Sequence, residues 1–197
     1  MNNKIIKNFF SKKELNLLQK YCWKSIENSK SYTILDGQSF SPCWADDPLM
    51  NSMLDIKLSV VEKKSKLKLF PTYNYWRYYV FGATLKKHLD RPACEVSITA
   101  CIKKYDNWPL IIEGNSFELE EGDALLYEGC AQEHGRPGVY KGEGMAQVFF
   151  HYVNQNGPFT HHMYDNYCKK NKKKSSESDD KILKKIRREY LNDRKNS

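Results

Sequence analysis

No stretch of the chain approaches the roughly 18 consecutive apolar residues that a membrane-spanning helix needs. The first eleven residues carry lysines but no apolar core, so they do not read as a secretory signal. The six cysteines (22, 43, 94, 101, 130 and 168) include no CxxC pair and no framework spacing. That argues against a disulfide scaffold and against cysteine-held metal, and it predicts reduced thiols and a cytoplasmic location. No internal repeat is visible. A basic surplus is also missing from most of the chain. Of the net charge of +8, a surplus of seven falls in residues 169–197, leaving about one for the other 168 residues. The body therefore lacks the charge that nucleic-acid binding would require. Aromatics at 13% and hydrophobic residues at 40% of the 197 residues fit a globular domain with a sizeable core.

Local patterns divide the chain. Ser11 and Glu14 form a capping box, and Leu15, Leu18, Cys22 and Ile26 follow at helical spacing. A helix is predicted over 12–28, with Phe9 and Phe10 as a hydrophobic staple. Residues 29–45 read as loop with one short strand. Asp47-Pro48 starts a second helix, predicted from 48 to about 66. From about 67 the pattern turns to strands. Leu67–Val80 is aromatic-rich and broken by Pro71, Glu95–Ile102 alternates, and Met145–Val153 is a long apolar run. Two helices followed by about eight strands predict an α+β domain whose strand half is a sandwich or barrel. The domain is expected over 1–160. A basic helical tail is expected over 161–197, with a linker at 169–176 and an apolar stripe of Ile182, Leu183, Ile186, Tyr190 and Leu191. That stripe is expected to dock on the body, and the basic face is a candidate for an acidic partner.

The chemistry concentrates in Tyr79–Asp90. On an extended chain His88 and Asp90 share a face, because strand side chains repeat with period two. A second histidine from a distant strand would complete a 2-His-1-carboxylate set, which suits non-haem Fe(II) and leaves coordination positions open. His134, just past a turn-bounded strand, is the expected third ligand, and His151, inside a bulky aromatic run, is the alternative. His161 and His162 lie beyond the last strand. Arg91 and Glu95, beside this motif, are expected to pair and shape the entrance. Asp123 follows a turn glycine and is expected to be structural.

The order of two helices, YxxGxxLxxHxD at 79–90, EGDALLY at 121–127, His134 and a long final strand resembles the prolyl-4-hydroxylase-like branch of the Fe(II)- and 2-oxoglutarate-dependent oxygenases. The resemblance covers roughly Ile5 to Val153. It implies a double-stranded β-helix, a jelly-roll barrel with helices outside. It further implies His88, Asp90 and His134 as catalytic iron ligands, with 2-oxoglutarate and O2 as cosubstrates. The implied reaction is hydroxylation of a C–H bond, of a peptidyl or free amino acid such as proline. The family commonly places Arg or Lys nine or ten residues after the distal histidine, to bind the far carboxylate of 2-oxoglutarate. Here those positions are Glu143 and Gly144, and no Arg or Lys occurs from Gly142 to Tyr167. Lys104, at the end of the strand after the motif, and Arg136, two residues beyond His134, are the candidate replacements, with Arg77 and Arg91 behind them. Tyr79 aligns with a carboxylate-binding tyrosine of the family, and Gln147 on the final strand is a further cosubstrate candidate. A cupin-like metalloenzyme without 2-oxoglutarate, and a non-catalytic barrel that binds a partner through its tail, are the alternatives.

Overall fold

The computed structural model describes residues 1–28, 38–165 and 177–195, so the expected linker and most of the expected loop after the first helix lie outside the described residues. The elements in order are β1 (Lys4–Ile6), α1 (Lys12–Asn28), β2 (Cys43–Ala45), α2 (Pro48–Ser65), β3 (Leu69–Tyr79), β4 (Leu85–His88), β5 (Val96–Lys104), β6 (Leu110–Ile112), β7 (Asn115–Phe117), β8 (Ala124–Tyr127), β9 (His134–Arg136), β10 (Met145–Asn154) and α3 (Glu177–Lys195). Short 3-10 turns at Pro92–Cys94 and Thr160–His162 complete them.

Both early helices start as their caps dictate. The Ser11 amide donates to Glu14 Oε2 at 2.7 Å, and the Glu14 amide donates to Ser11 Oγ at 3.3 Å. At α2, Asp47 Oδ1 accepts from the amides of Leu49 and Met50, and Pro48 stands where no amide is needed. The helix stops at Lys66, which adopts a left-handed φ of 64°.

The strands form two antiparallel sheets, one of six in the order β1-β8-β5-β10-β3-β2 and one of four in the order β4-β9-β6-β7. The six-stranded sheet is buried on both faces. Val96, Ile98, Ala100 and Ile102 of β5, with Val148, Phe150 and Tyr152 of β10, pack against Leu18, Met50, Met53 and Val61 of the helices. The alternate residues face inward, where Tyr79, Cys101, Leu125, Tyr127 and Met145 meet Leu85, Leu110 and Ile112 of the smaller sheet. The alternation read from the sequence is thus real, but both phases are buried, which is why β10 reads as a continuous apolar run.

Pro71 does not break its strand. β3 runs through it, and the pairing slips there, with Phe150 opposite Asn74 and Tyr152 opposite Pro71. Two residues, Thr72 and Tyr73, then oppose His151 alone. Such a bulge accommodates the missing proline amide and bends the strand. Gly82, at φ 87°, occupies the turn after β3 in a conformation that side chains rarely adopt.

Helix α3 lies on the body. Ile182, Leu183 and Ile186 pack against Cys130, Val153 and Phe159. Arg187 pairs with Glu113 and donates to the Ala131 carbonyl, and Gln132 Nε2 donates to the Tyr190 hydroxyl at 3.0 Å. No described helix is long and apolar enough to cross a membrane.

Candidate active site

Strand pairing brings the chemistry together. β4 and β9 are antiparallel neighbours in which His88 stands opposite His134 and Leu85 opposite Arg136. Asp90 lies just past the end of β4, where its amide donates to the Gly129 carbonyl at 3.0 Å. The ligand atoms of His88, Asp90 and His134 all lie within 4.8 Å of one another. Asp90 Oδ1 is 3.5 Å from His88 Nε2, and Oδ2 is 3.4 Å from His134 Nε2.

Both rings are fixed by their other nitrogen. His88 Nδ1 is 2.8 Å from the Lys86 carbonyl, and His134 Nδ1 is 2.9 Å from the Gln132 carbonyl. A carbonyl only accepts, so each Nδ1 carries a proton, and in the neutral form each ring turns an Nε2 lone pair toward the carboxylate. Lone pairs facing a carboxylate repel unless a proton or a cation stands between them. Tethered rings of this kind are how metal-ligating histidines are oriented. The donor set therefore fits a divalent ion. Burial alone would push the Asp90 carboxyl up, but the adjoining His134 and the contacts with both rings hold it well below the usual carboxylate range. Burial likewise works against a charged His134, and Asp90 reverses it, raising that ring above its ordinary value.

His151, the alternative ligand, also faces the site, but its Nδ1 is 3.0 Å from Ser97 Oγ and its ring lies 4.6 Å from that of Tyr73. It falls in a second potential ligand group with Asp90 and Cys94. Burial pushes the Cys94 thiol well above its usual range, which keeps it protonated and a poor ligand. Burial pushes His151 down to about 4 from 6.5. Between those values the unfolded chain takes up a proton that the folded ring does not. Stability of the metal-free protein is thus expected to fall as pH drops from about 6.5 to about 4, by up to about 3 kcal/mol from this group. Urea unfolding at both ends of the window, with wild type and His151→Gln, checks it. The variant should lose much of the slope, and an unchanged slope would contradict a neutral, buried His151.

A cavity of about 250 Å³ opens beside the three candidate ligands, with Tyr73, Tyr75, Arg77, Tyr79, Arg136 and Phe149 among its walls. Arg136 is buried between the rings of Tyr79 and Trp108, 5.6 and 5.3 Å from their centroids. It donates through one amino nitrogen to the Trp108 carbonyl, and its Nε has no hydrogen-bond partner. Burial pulls its guanidinium below the ordinary value. Arg77 donates to the hydroxyls of Tyr79 at 3.0 Å and Tyr75 at 2.7 Å. Asp90 is the only carboxylate among the described lining residues, so two guanidinium groups leave the cavity cationic.

Two of the cosubstrate candidates suggested by strand position do not line this cavity. Lys104 Nζ turns to Asn107 at 2.7 Å and Glu120 at 3.0 Å and does not line the cavity. These two acceptors hold the lysine at the end of its strand. Gln147 is buried but bonds Thr99 Oγ1 across β5 and β10 at 2.9 Å, outside the cavity lining. Arg91 and Glu95 do not pair. Arg91 reaches Asp165 at 2.9 Å, and Glu95 accepts from the Asn154 amide. Asp123 is structural as expected, accepting from Lys7 and from the Asn8 amide.

Gly129 does not stand out in the sequence, yet the site depends on it. A Cβ there would lie 2.6 Å from Asp90 Oδ2, 2.6 Å from Ser97 Oγ and 2.8 Å from the Cys94 carbonyl. Its position between a predicted strand and His134 was the available signal. Gly129→Ala is expected to displace Asp90 and weaken Mn(II) binding by about 10–100-fold. A paramagnetic-resonance titration checks this, and wild-type affinity in the variant would contradict the crowding.

No family model matches the chain, and no curated protein matches it. Its fold is nonetheless shared with solved structures. A prolyl-4-hydroxylase from Pseudomonas putida superposes with a TM-score of 0.61 at 13% identity, over 78% of this chain and 93% of that one. A viral collagen prolyl hydroxylase from Paramecium bursaria Chlorella virus-1, a 2-oxoglutarate complex, gives 0.58 at 12% identity, over 77% and 96%. HygX from Streptomyces hygroscopicus, with nickel and 2-oxoglutarate bound, gives 0.61 at 11% identity, over 78% and 83%. The two sheets and their outer helices are thus the double-stranded β-helix that the 2-oxoglutarate-dependent oxygenases share, as the resemblance in the sequence implied.

Proposed function

We propose that the protein is an Fe(II)- and 2-oxoglutarate-dependent dioxygenase that hydroxylates a C–H bond. The observation that carries this reading is the pairing of β4 with β9. It sets two tethered imidazoles around Asp90 and places Arg136 one strand repeat from His134, facing the same cavity. His88, Asp90 and His134 are the proposed ligands, and the iron would supply oxygen activation at its remaining positions. Two residues of strand span about 7 Å, a distance suited to a five-carbon dicarboxylate reaching from the metal to a cation. Arg136 is therefore the proposed partner of the far carboxylate, with Tyr79 beside it. A dianion also suits a cavity lined by two guanidinium groups. Tyr73, Tyr75, Arg77 and Phe149 then remain as the wall that orients substrate and excludes water.

Two of the solved structures that share this fold are prolyl hydroxylases. A peptidyl or free amino acid such as proline is the proposed substrate class, seated in the small aromatic space that remains. The absence of a cation nine or ten residues after His134 favours a cupin-like enzyme without 2-oxoglutarate, and Arg136 answers that objection from another strand. A partner role for the tail has less behind it, because Ile182, Leu183 and Ile186 of the α3 stripe pack on the body. The described cysteines are all free, which accords with a reducing compartment such as the cytoplasm. Aerobic incubation with Fe(II) and 2-oxoglutarate is expected to release succinate at a slow, metal-dependent rate without substrate. Neither succinate release nor binding of 2-oxoglutarate by the metal-loaded protein would favour the cupin-like reading instead.

A further inference from the structure

A separate cluster of ligand-type side chains joins the end of the barrel to the C-terminal helix. His161 and His162 occupy the 3-10 turn after β10, and Asp179 sits in the first turns of α3. Their ligand atoms lie within 4.8 Å of one another. His161 Nε2 is 3.1 Å from Asp179 Oδ1, and His162 Nε2 is 3.4 Å from Asp179 Oδ2. Asp179 is buried, with 3% of its side chain exposed.

His162 is held as ligating histidines are held. Its Nδ1 lies 3.2 Å from Asp165 Oδ2, and a carboxylate only accepts, so Nδ1 carries the proton. Arg91 in turn anchors Asp165 at 2.9 Å. In its neutral form the ring then points an Nε2 lone pair at Asp179, and that nitrogen has no hydrogen-bond partner. This is the carboxylate–histidine arrangement that fixes the tautomer of a metal ligand. The atoms that converge are two imidazole nitrogens and one oxygen of Asp179, and Arg91 pairs with Asp165. Two imidazole nitrogens and a carboxylate oxygen suit zinc, with the fourth position left to water. His161 is half exposed, so the site is open to solvent on that side.

We propose that His161, His162 and Asp179 form a second divalent-cation site, suited to zinc, that pins α3 to the barrel. It shares no residue with the His88–Asp90–His134 centre. Helix α3 also holds Gln132 through Tyr190, and the Gln132 carbonyl orients His134. The pin would thus steady a wall of the first centre from behind.

The test compares three full-length chains, wild type, His161→Gln and Asp90→Ala, each equilibrated with zinc and freed of excess. Bound zinc is counted by mass spectrometry, and amide exchange is followed across α3 with and without zinc. Two zinc ions per wild-type chain and one in each variant are expected. Zinc at a hundred times its Kd is expected to slow α3 exchange about 100-fold in wild type and Asp90→Ala, and not in His161→Gln. The half-exposed His161 can be replaced without opening the core, and an unchanged circular dichroism spectrum verifies it. A zinc count or an α3 exchange rate that His161→Gln leaves unaltered overturns the proposal, whichever way the Asp90 variant behaves.

Discussion

Arg136→Leu is expected to raise the concentration of 2-oxoglutarate needed for half-maximal succinate production by roughly thirtyfold or more, while Fe(II) binding stays as in wild type. Removing one partner of a buried charge pair costs about 2–5 kcal/mol, and the lower end of that range is roughly thirtyfold in affinity. The side chain is buried against Tyr79 and Trp108, so leucine fills much of its space without adding a polar group. Arg136→Lys should recover part of the loss, since lysine keeps the charge but not the two-pronged geometry. Lys104→Ala should leave the value unchanged, because Lys104 faces Asn107 and Glu120 instead. Kinetics on the three variants separate the two foremost of the four cations that the sequence left open. A large effect at Lys104 with none at Arg136 would reverse the assignment.

Asp90→Ala and His134→Ala are expected to reduce iron-dependent succinate production to background. Asp90 is the only negative group among the described residues of the cavity, and it stands between both imidazoles. Without it two imidazoles remain, and a divalent ion loses its charge partner and one of three protein ligands. His134→Ala removes the ligand that the Gln132 carbonyl orients and frees Asp90 from its strongest favourable neighbour. His151→Ala, by contrast, should keep metal-dependent turnover, since His151 is not part of the group of ligand atoms that His88, Asp90 and His134 form. Turnover that survives in either ligand variant, measured beside iron content, would exclude this centre.

Much of the fold and site is legible in local sequence. The caps at Ser11 and Asp47 place α1 and α2 because side-chain acceptors three residues from free amides act locally. His88, Asp90 and His134 stand out because period-two spacing and donor chemistry are also local properties. What sequence spacing does not supply is the pairing between distant strands. Lys104 looks plausible as a strand-end cation, but its neighbours Glu120 and Asn107 decide where it points. Arg77 ranks among the lesser candidates in sequence, and only the inward phase of β3 brings it into the cavity. The need for glycine at 129 is not legible there, because its reason is a three-way contact with Asp90, Ser97 and Cys94. Pro71 reads as an ending because a bulge on a paired strand has no signature in one strand alone.

The most direct measurement of the central claim is an anaerobic titration of 2-oxoglutarate into the Fe(II)-loaded protein, followed by visible charge-transfer absorption. Wild type should develop a band that saturates at one equivalent, Arg136→Leu should need far more cosubstrate to reach it, and Asp90→Ala should show none. A full band in Asp90→Ala, or no band in iron-loaded wild type, would contradict a centre built from His88, Asp90 and His134.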